Sequence, residues 1–147
     1  VLVIVFFGFV PVGCTYYTMC HDWTWSVTIA CLASGLVSDL LLMLNNYRDR
    51  EQDKISGKRT LVVRFGAKAG RWMYFSLGLI ACMLCLLFVI TGQLWAAILP
   101  QLFLVPHLNT WQHMVKINKG KELNKVLGET ARNIALFGVL LSLGLIL

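Results

Sequence analysis

Charge is what this 147-residue sequence has least of, and the shortage is uneven. Residues 1–20 contain no Asp, Glu, Lys or Arg, the stretch from Trp72 to Val115 contains none either, and Asp39 is the one charged residue between Trp23 and Leu44. Runs this long without charge exclude an ordinary water-soluble domain, and 58% hydrophobic against 14% charged residues places the chain in the membrane class. Acids are scarce even where charge is present, 7 Asp and Glu against 13 Lys and Arg, so the polar parts expect anionic ligands. A nucleotide-binding P-loop is missing: Gly57-Lys58 runs into Arg59-Thr60 and lacks the upstream glycine. No nucleophile stands beside a base. His107 and His113, six apart, point to different faces of a helix and with His21 make no metal set. The five cysteines, Cys14, Cys20, Cys31, Cys82 and Cys85, lie in or at the ends of apolar runs. Cys82 and Cys85 lack the basic neighbours of a redox pair, and all five are expected to be small buried apolar residues. The uncharged start, Pro11 and the pair Tyr16 and Tyr17 are not what a signal peptide is expected to show.

What is present reads as an all-α, polytopic membrane helix bundle. Its five transmembrane helices are expected at about residues 1–20, 23–44, 72–91, 94–115 and 126–147, the third and fourth divided at Thr91-Gly92-Gln93. The longer connections, 45–71 and 116–125, hold or adjoin all thirteen Lys and Arg, with Arg132 just beyond. Two spans separate them, so they share a side, and the positive-inside rule makes it cytoplasmic, with the protein in the inner (plasma) membrane. Basic residues confined to one face of a membrane protein exclude nucleic acid as a partner. Gly8, Pro11 and Gly13 suit close packing and a kink in the first span. Tyr16 and Tyr17 have two readings, an interfacial aromatic belt or the wall of an aromatic acceptor pocket. Pro100 and Pro106 should bend the fourth span, and Glu129 is spaced to pair with Arg132 along the fifth.

The stretch from Asn45 to Gly66 is the polar exception. Asn45, Asp49 and Asp53 recur every four residues, so on a helix each step advances about 40° round and roughly 6 Å along. Two carboxylates and a carboxamide on one face are the hard oxygen donors that Mg²⁺ takes, completing its shell with water and phosphate. The row therefore looks like half of a metal-diphosphate site. Asp39, seven residues before Asn46, lies nearly in line with it. Either a cavity descends from the row towards Asp39, or Asp39 is protonated and bonded to a neighbouring helix.

The run Asn45-Asn46-x-Arg48-Asp49 with Asp53, then Gly57-Lys58-x-Thr60-Leu61 and Gly66, resembles the UbiA superfamily of intramembrane aromatic prenyltransferases. Within it the likeness is to the branch that prenylates 1,4-dihydroxy-2-naphthoate in menaquinone biosynthesis. The resemblance implies nine helices around a cavity with two facing Asp-rich motifs, of which this chain would be the C-terminal part, carrying the second. The missing N-terminal half would supply the first, and the 147 residues alone are expected to be inactive. By the same resemblance, Asp49 and Asp53 are the catalytic pair that holds Mg²⁺, with Asn45 or Asn46 assisting. Arg48, Lys54 and Lys58 would grip the diphosphate of a polyprenyl donor, and Asp39 departs from the family pattern. The implied reaction transfers the polyprenyl group to the aromatic acid with loss of carbon dioxide, giving demethylmenaquinone. The rivals are another aromatic acceptor, or a divalent-cation transporter whose path passes Asp39 and the row.

Overall fold

The computed structural model describes residues 2–147; Val1, the first residue of the expected first span, lies outside the described residues. Among the described residues every regular element is a helix and none is a strand. Helix α1 is Leu2–Cys20, and its middle, Val5–Cys14, has the wide π pitch. Pro11 sits in that segment, where a looser turn tolerates a residue with no N–H to donate and a ring that crowds the preceding carbonyls. His21 ends the helix in the left-handed region at φ 52°. After a short reversal, Thr24 caps α2 (Trp25–Arg48) by accepting from the Val27 amide at 3.3 Å.

The seam between α1 and α2 is built from small residues. A Cβ on Gly8 would collide with the carbonyl of Cys31, and one on Gly35 would lie 2.8 Å from Cα of Ile4 and 3.0 Å from its carbonyl oxygen. The two backbones touch because nothing stands between them. Most of α1 otherwise faces outward, and Cys14 and Cys20 are on its exposed side. That corrects the expectation of five buried cysteines, which holds for Cys31, Cys82 and Cys85. An apolar run in a membrane protein can face lipid as readily as protein, so hydropathy alone does not separate the two.

Beyond α2 the chain stays helical through much of the expected 45–71 connection. α3 is Arg50–Ile55, and α4 starts at Leu61, capped by Thr60, and runs to Cys85 with a 3-10 extension, Leu86–Val89. Gly66, at φ 87° and ψ 168°, breaks α4 between its first turn, Leu61–Phe65, and its long remainder. Only glycine enters this backbone region without strain. Hydropathy marks where a helix turns polar and not where it ends, so an apolar window beginning at residue 72 misses the first turns. α5 occupies residues 94–117 as two pieces, Leu94–Ile98 and Leu104–Ile117, joined by a 3-10 stretch, Leu99–Phe103, that contains Pro100. Gln101 seals that break, its amide nitrogen donating at 2.9 Å to the carbonyls of Cys82 and of Ala97. α6 is Leu123–Ile146. Among the described residues four helices, α1, α2, α4 and α6, are each long and apolar enough to cross a bilayer; α5, broken at Leu99–Phe103, is not one of them, so four of the five expected spans are seen as single helices.

α2 packs against α1, α4 and α6, and α5 closes against α4 and α6. Tyr47, Tyr74, Phe88, Phe103 and Phe137 are fully buried in the core. Most polar side chains inside find partners, although Nδ1 of His107 and Oδ1 of Asn133 are buried without one. Tyr74 and Thr130 share a hydrogen bond of 2.8 Å, and Asn133 donates to Thr110 at 2.9 Å and to the carbonyl of Pro106 at 3.2 Å. His107 is stacked between Tyr74 and Phe103, each 5.1 Å away, with Nε2 at 3.2 Å from the Phe75 carbonyl, and is a core residue. Tyr74→Phe should lower stability by about 1 kcal/mol, because Thr130 keeps its bond to the Val126 carbonyl. Thermal unfolding in detergent measures it. Glu129 does not pair with Arg132 as the spacing suggested; its carboxylate takes His113 Nδ1 at 3.0 Å on the neighbouring helix.

Candidate functional site

Asp49 sits at the joint between α2 and α3 with φ −91° and ψ 4°, where one helix ends and the next begins, yet the backbone bonds that link the members of the row are kept. The Asp49 amide donates to the Asn45 carbonyl at 2.9 Å and the Asp53 amide to the Asp49 carbonyl at 2.8 Å. The four-residue spacing of the row therefore survives as three successive turns.

Each carboxylate already has a cation. Arg48 forks onto Asp49, Nε to Oδ1 and Nη2 to Oδ2, both at 2.7 Å. Its remaining nitrogen, Nη1, donates to Oδ1 of Asn124 at 2.9 Å, tying α2 to the start of α6. The Arg48 hydrogen bonds hold the Asp49 carboxyl below the usual carboxylate range, against the opposing effect of partial burial. A depressed folded pKa stabilises the fold above the unfolded value near 3.9, and that contribution is lost as pH falls through the folded value. Asp49 is thus ionised at neutral pH. Asp53 is 6% exposed and has Lys58 Nζ at 3.2 Å from Oδ1. The turn that brings Lys58 back is closed by its amide on the Asp53 carbonyl at 2.9 Å and passes through Gly57 at φ 74°. Lys54 is exposed, and Asn45 and Asn46 are half-buried. In the same region Thr60 accepts from the Val63 amide at 3.3 Å. Thr60→Ala should cost about 1 kcal/mol at that helix start, seen as faster hydrogen exchange of the Val63 amide.

Three residues join the site without a decisive sequence signal. Arg50 is 8% exposed, stacks at 4.4 Å over the Tyr47 ring and donates to the Tyr47 carbonyl at 2.7 Å. Its spacing of three from an aromatic residue was the one available hint. Asn118 accepts from the buried Tyr47 hydroxyl at 2.8 Å, and Asn124 accepts from Arg48. Both come from the 116–125 connection, more than seventy residues away in sequence, where no periodicity could point to them.

The row opens into two hollows. Asp49 and Arg48 line one of about 450 Å³ with Gly120, Lys121 and Asn124. Asn45 lines another of about 470 Å³ between α1, α2 and α6, with Val3, Phe7, Ser38, Leu41 and Ile134. From Asn45 to Ser38 that cleft descends about 10 Å along α2. Its polar floor is Ser38; the neighbouring Asp39 is half-buried and turned about 100° from it on the helix. Tyr16 lines a third hollow with Thr24, Ser26 and Gln93, at the far end of α2, and Tyr17 is exposed. A helix of 24 residues is about 36 Å long, so neither tyrosine is near Asp49. Tyr16 and Tyr17 therefore lie at the end of the bundle opposite the row, where the span order places them. Among the described residues no three His, Cys, Asp or Glu side chains converge as a metal site. The donors fit a hard cation that brings phosphate and water oxygens with it.

The chain is thus a helical membrane bundle with a cation-clasped pair of aspartates at its polar rim. The chain belongs to the UbiA prenyltransferase family, whose pattern matches residues 1–144. It is 34% identical over 149 aligned residues to a 1,4-dihydroxy-2-naphthoate octaprenyltransferase of Haemophilus influenzae, covering 99% of this chain and 47% of that protein. Proteins of the same name from Escherichia coli and Mycobacterium leprae are 36% and 35% identical over 57% and 67% of the chain, and 27% and 33% of their own lengths. The chain spans about half the length of the first of these relatives or less of the others. No solved structure matches it.

Proposed function

We propose that the full-length protein containing this chain transfers a polyprenyl group from polyprenyl diphosphate to 1,4-dihydroxy-2-naphthoate, releasing diphosphate and carbon dioxide and yielding demethylmenaquinol, the reduced form of demethylmenaquinone. The observation that carries this reading is the likeness over 99% of the chain to a relative named for that acceptor. The backbone bonds that keep Asn45, Asp49 and Asp53 on successive turns support it. Asp49 and Asp53, with the amide oxygen of Asn45 or Asn46, are the residues that would hold Mg²⁺. When bound, Mg²⁺ neutralises charge that develops on the departing diphosphate. Arg48, Lys54 and Lys58 lie on or beside the same turns and supply cationic groups to the diphosphate oxygens, Arg48 as a planar fork and the lysines as point charges. The apolar cleft below Asn45 receives hydrocarbon, and its few polar atoms keep water from the allylic cation. The electron-rich naphthoate ring attacks that cation, and its carboxylate leaves as carbon dioxide with the bonding pair returning to the ring.

The basic end of the bundle, where Arg48 joins the two Lys- and Arg-rich connections through Asn124, faces the cytoplasm of the inner membrane on this reading. The test is product analysis with the full-length protein in proteoliposomes, supplied with Mg²⁺, polyprenyl diphosphate and an equimolar mixture of 1,4-dihydroxy-2-naphthoate, 4-hydroxybenzoate and homogentisate. A prenylated, decarboxylated naphthoate is expected. Prenylation of another acid reassigns the acceptor, and no prenylation together with Mg²⁺ flux favours a transporter.

A further inference from the structure

We propose that the basic ends of α4 and α5 form a binding site for the phosphate headgroup of an anionic membrane lipid, separate from the aspartate row. On α4, Lys68 and Trp72 are four residues apart and share a face, with Arg71 beside them. Gly70 is turned towards α2, because a Cβ there would lie 3.1 Å from the Tyr47 ring. Lys68 and Trp72, two residues to either side, stand about 200° round from Gly70 and so face away from α2 and from Asp49.

Across the groove, Trp111 of α5 donates its indole N–H to the Arg71 carbonyl at 2.9 Å. Its ring lies 5.5 Å from Trp72 and 5.2 Å from Phe75, which locks the aromatic wall in place. Lys68, Arg71, Trp72, Trp111 and Val115 enclose a hollow of about 270 Å³. Neither cation takes part in an ion pair among the described residues, and residues 72–115 offer no acid to neutralise them. Two fixed positive charges over two indoles and a valine suit a ligand with an anionic head and an apolar body. Tryptophans settle at headgroup level, and basic pockets between transmembrane helices take phosphate-bearing lipids. Trp72 is 54% exposed on the outer surface, so the ligand enters from the lipid side. A free phosphate would leave the apolar walls without a partner.

The full-length protein, incubated in detergent with equal phosphatidylglycerol and phosphatidylcholine, is examined by native mass spectrometry for retained lipid. Phosphatidylglycerol should be retained preferentially, and the double variant Lys68→Gln, Arg71→Gln should lower its retention by roughly tenfold or more. Lys119→Gln, Lys121→Gln should leave retention unchanged, and unfolding temperatures in lipid-free detergent should match for all three proteins. Equal retention of the two lipids, undiminished retention by the double variant, or loss of the lipid to millimolar inorganic phosphate would each overturn the proposal. The last outcome would assign a soluble anion instead. If the double variant unfolds early, Trp111→Leu decides, with weaker phosphatidylglycerol retention expected and unchanged retention counting against the site.

Discussion

Asp49→Ala in the full-length protein should lower kcat for prenyl transfer by roughly 10²- to 10³-fold while leaving helix content and the unfolding temperature nearly unchanged. The size follows from where charge develops: a preorganised group that meets the leaving diphosphate only as the bond breaks acts on kcat more than on KM. The separation from stability follows from this structure. The Asp49 side chain is 45% exposed and its partner Arg48 keeps a second bond to Asn124, so removing the carboxylate leaves no buried unpaired charge. Asp53→Ala should match it in kcat, because Lys58, 68% exposed, returns to water when its partner goes. Single-turnover assays on both variants, with circular dichroism on the same samples, read the two effects apart. An Asp49→Ala protein that keeps more than about a tenth of wild-type turnover removes the row from the diphosphate site.

Gly35→Val should produce a large structural effect, on the order of 1–3 kcal/mol. Its Cβ would enter the backbone of Ile4, and backbone cannot swing aside as the end of a flexible side chain can. Gly8→Val strikes the other side of the same seam, at the carbonyl of Cys31 and Cα of Gly35. Once either substitution has parted α1 from α2, the second meets less resistance, so the double variant should be less destabilised than the sum of the singles. Thermal unfolding in one detergent measures all three. An unchanged midpoint for Gly35→Val would mean that the two helices do not meet there.

The helical class of the fold was legible because charge is so sparse that its gaps mark the membrane segments. The Asn/Asp row was legible because a four-residue period shows its face without a partner. Helix ends were not, because Arg50–Ile55 is a polar helix and the first turns of α4 carry basic residues, and hydropathy sees polarity only. Pairings across long separations were hidden too: Glu129 went to His113 over the nearby Arg132, and Arg48 found Asn124, since geometry between helices overrides spacing along one.

The bend in α5 has a consequence for rigidity. The amide nitrogen of Gln101 donates both to the Ala97 carbonyl just before the break and to the Cys82 carbonyl on α4, so the kink is pinned to a second helix. A bend held from outside in this way should keep its angle when a long hydrocarbon guest presses against the bundle.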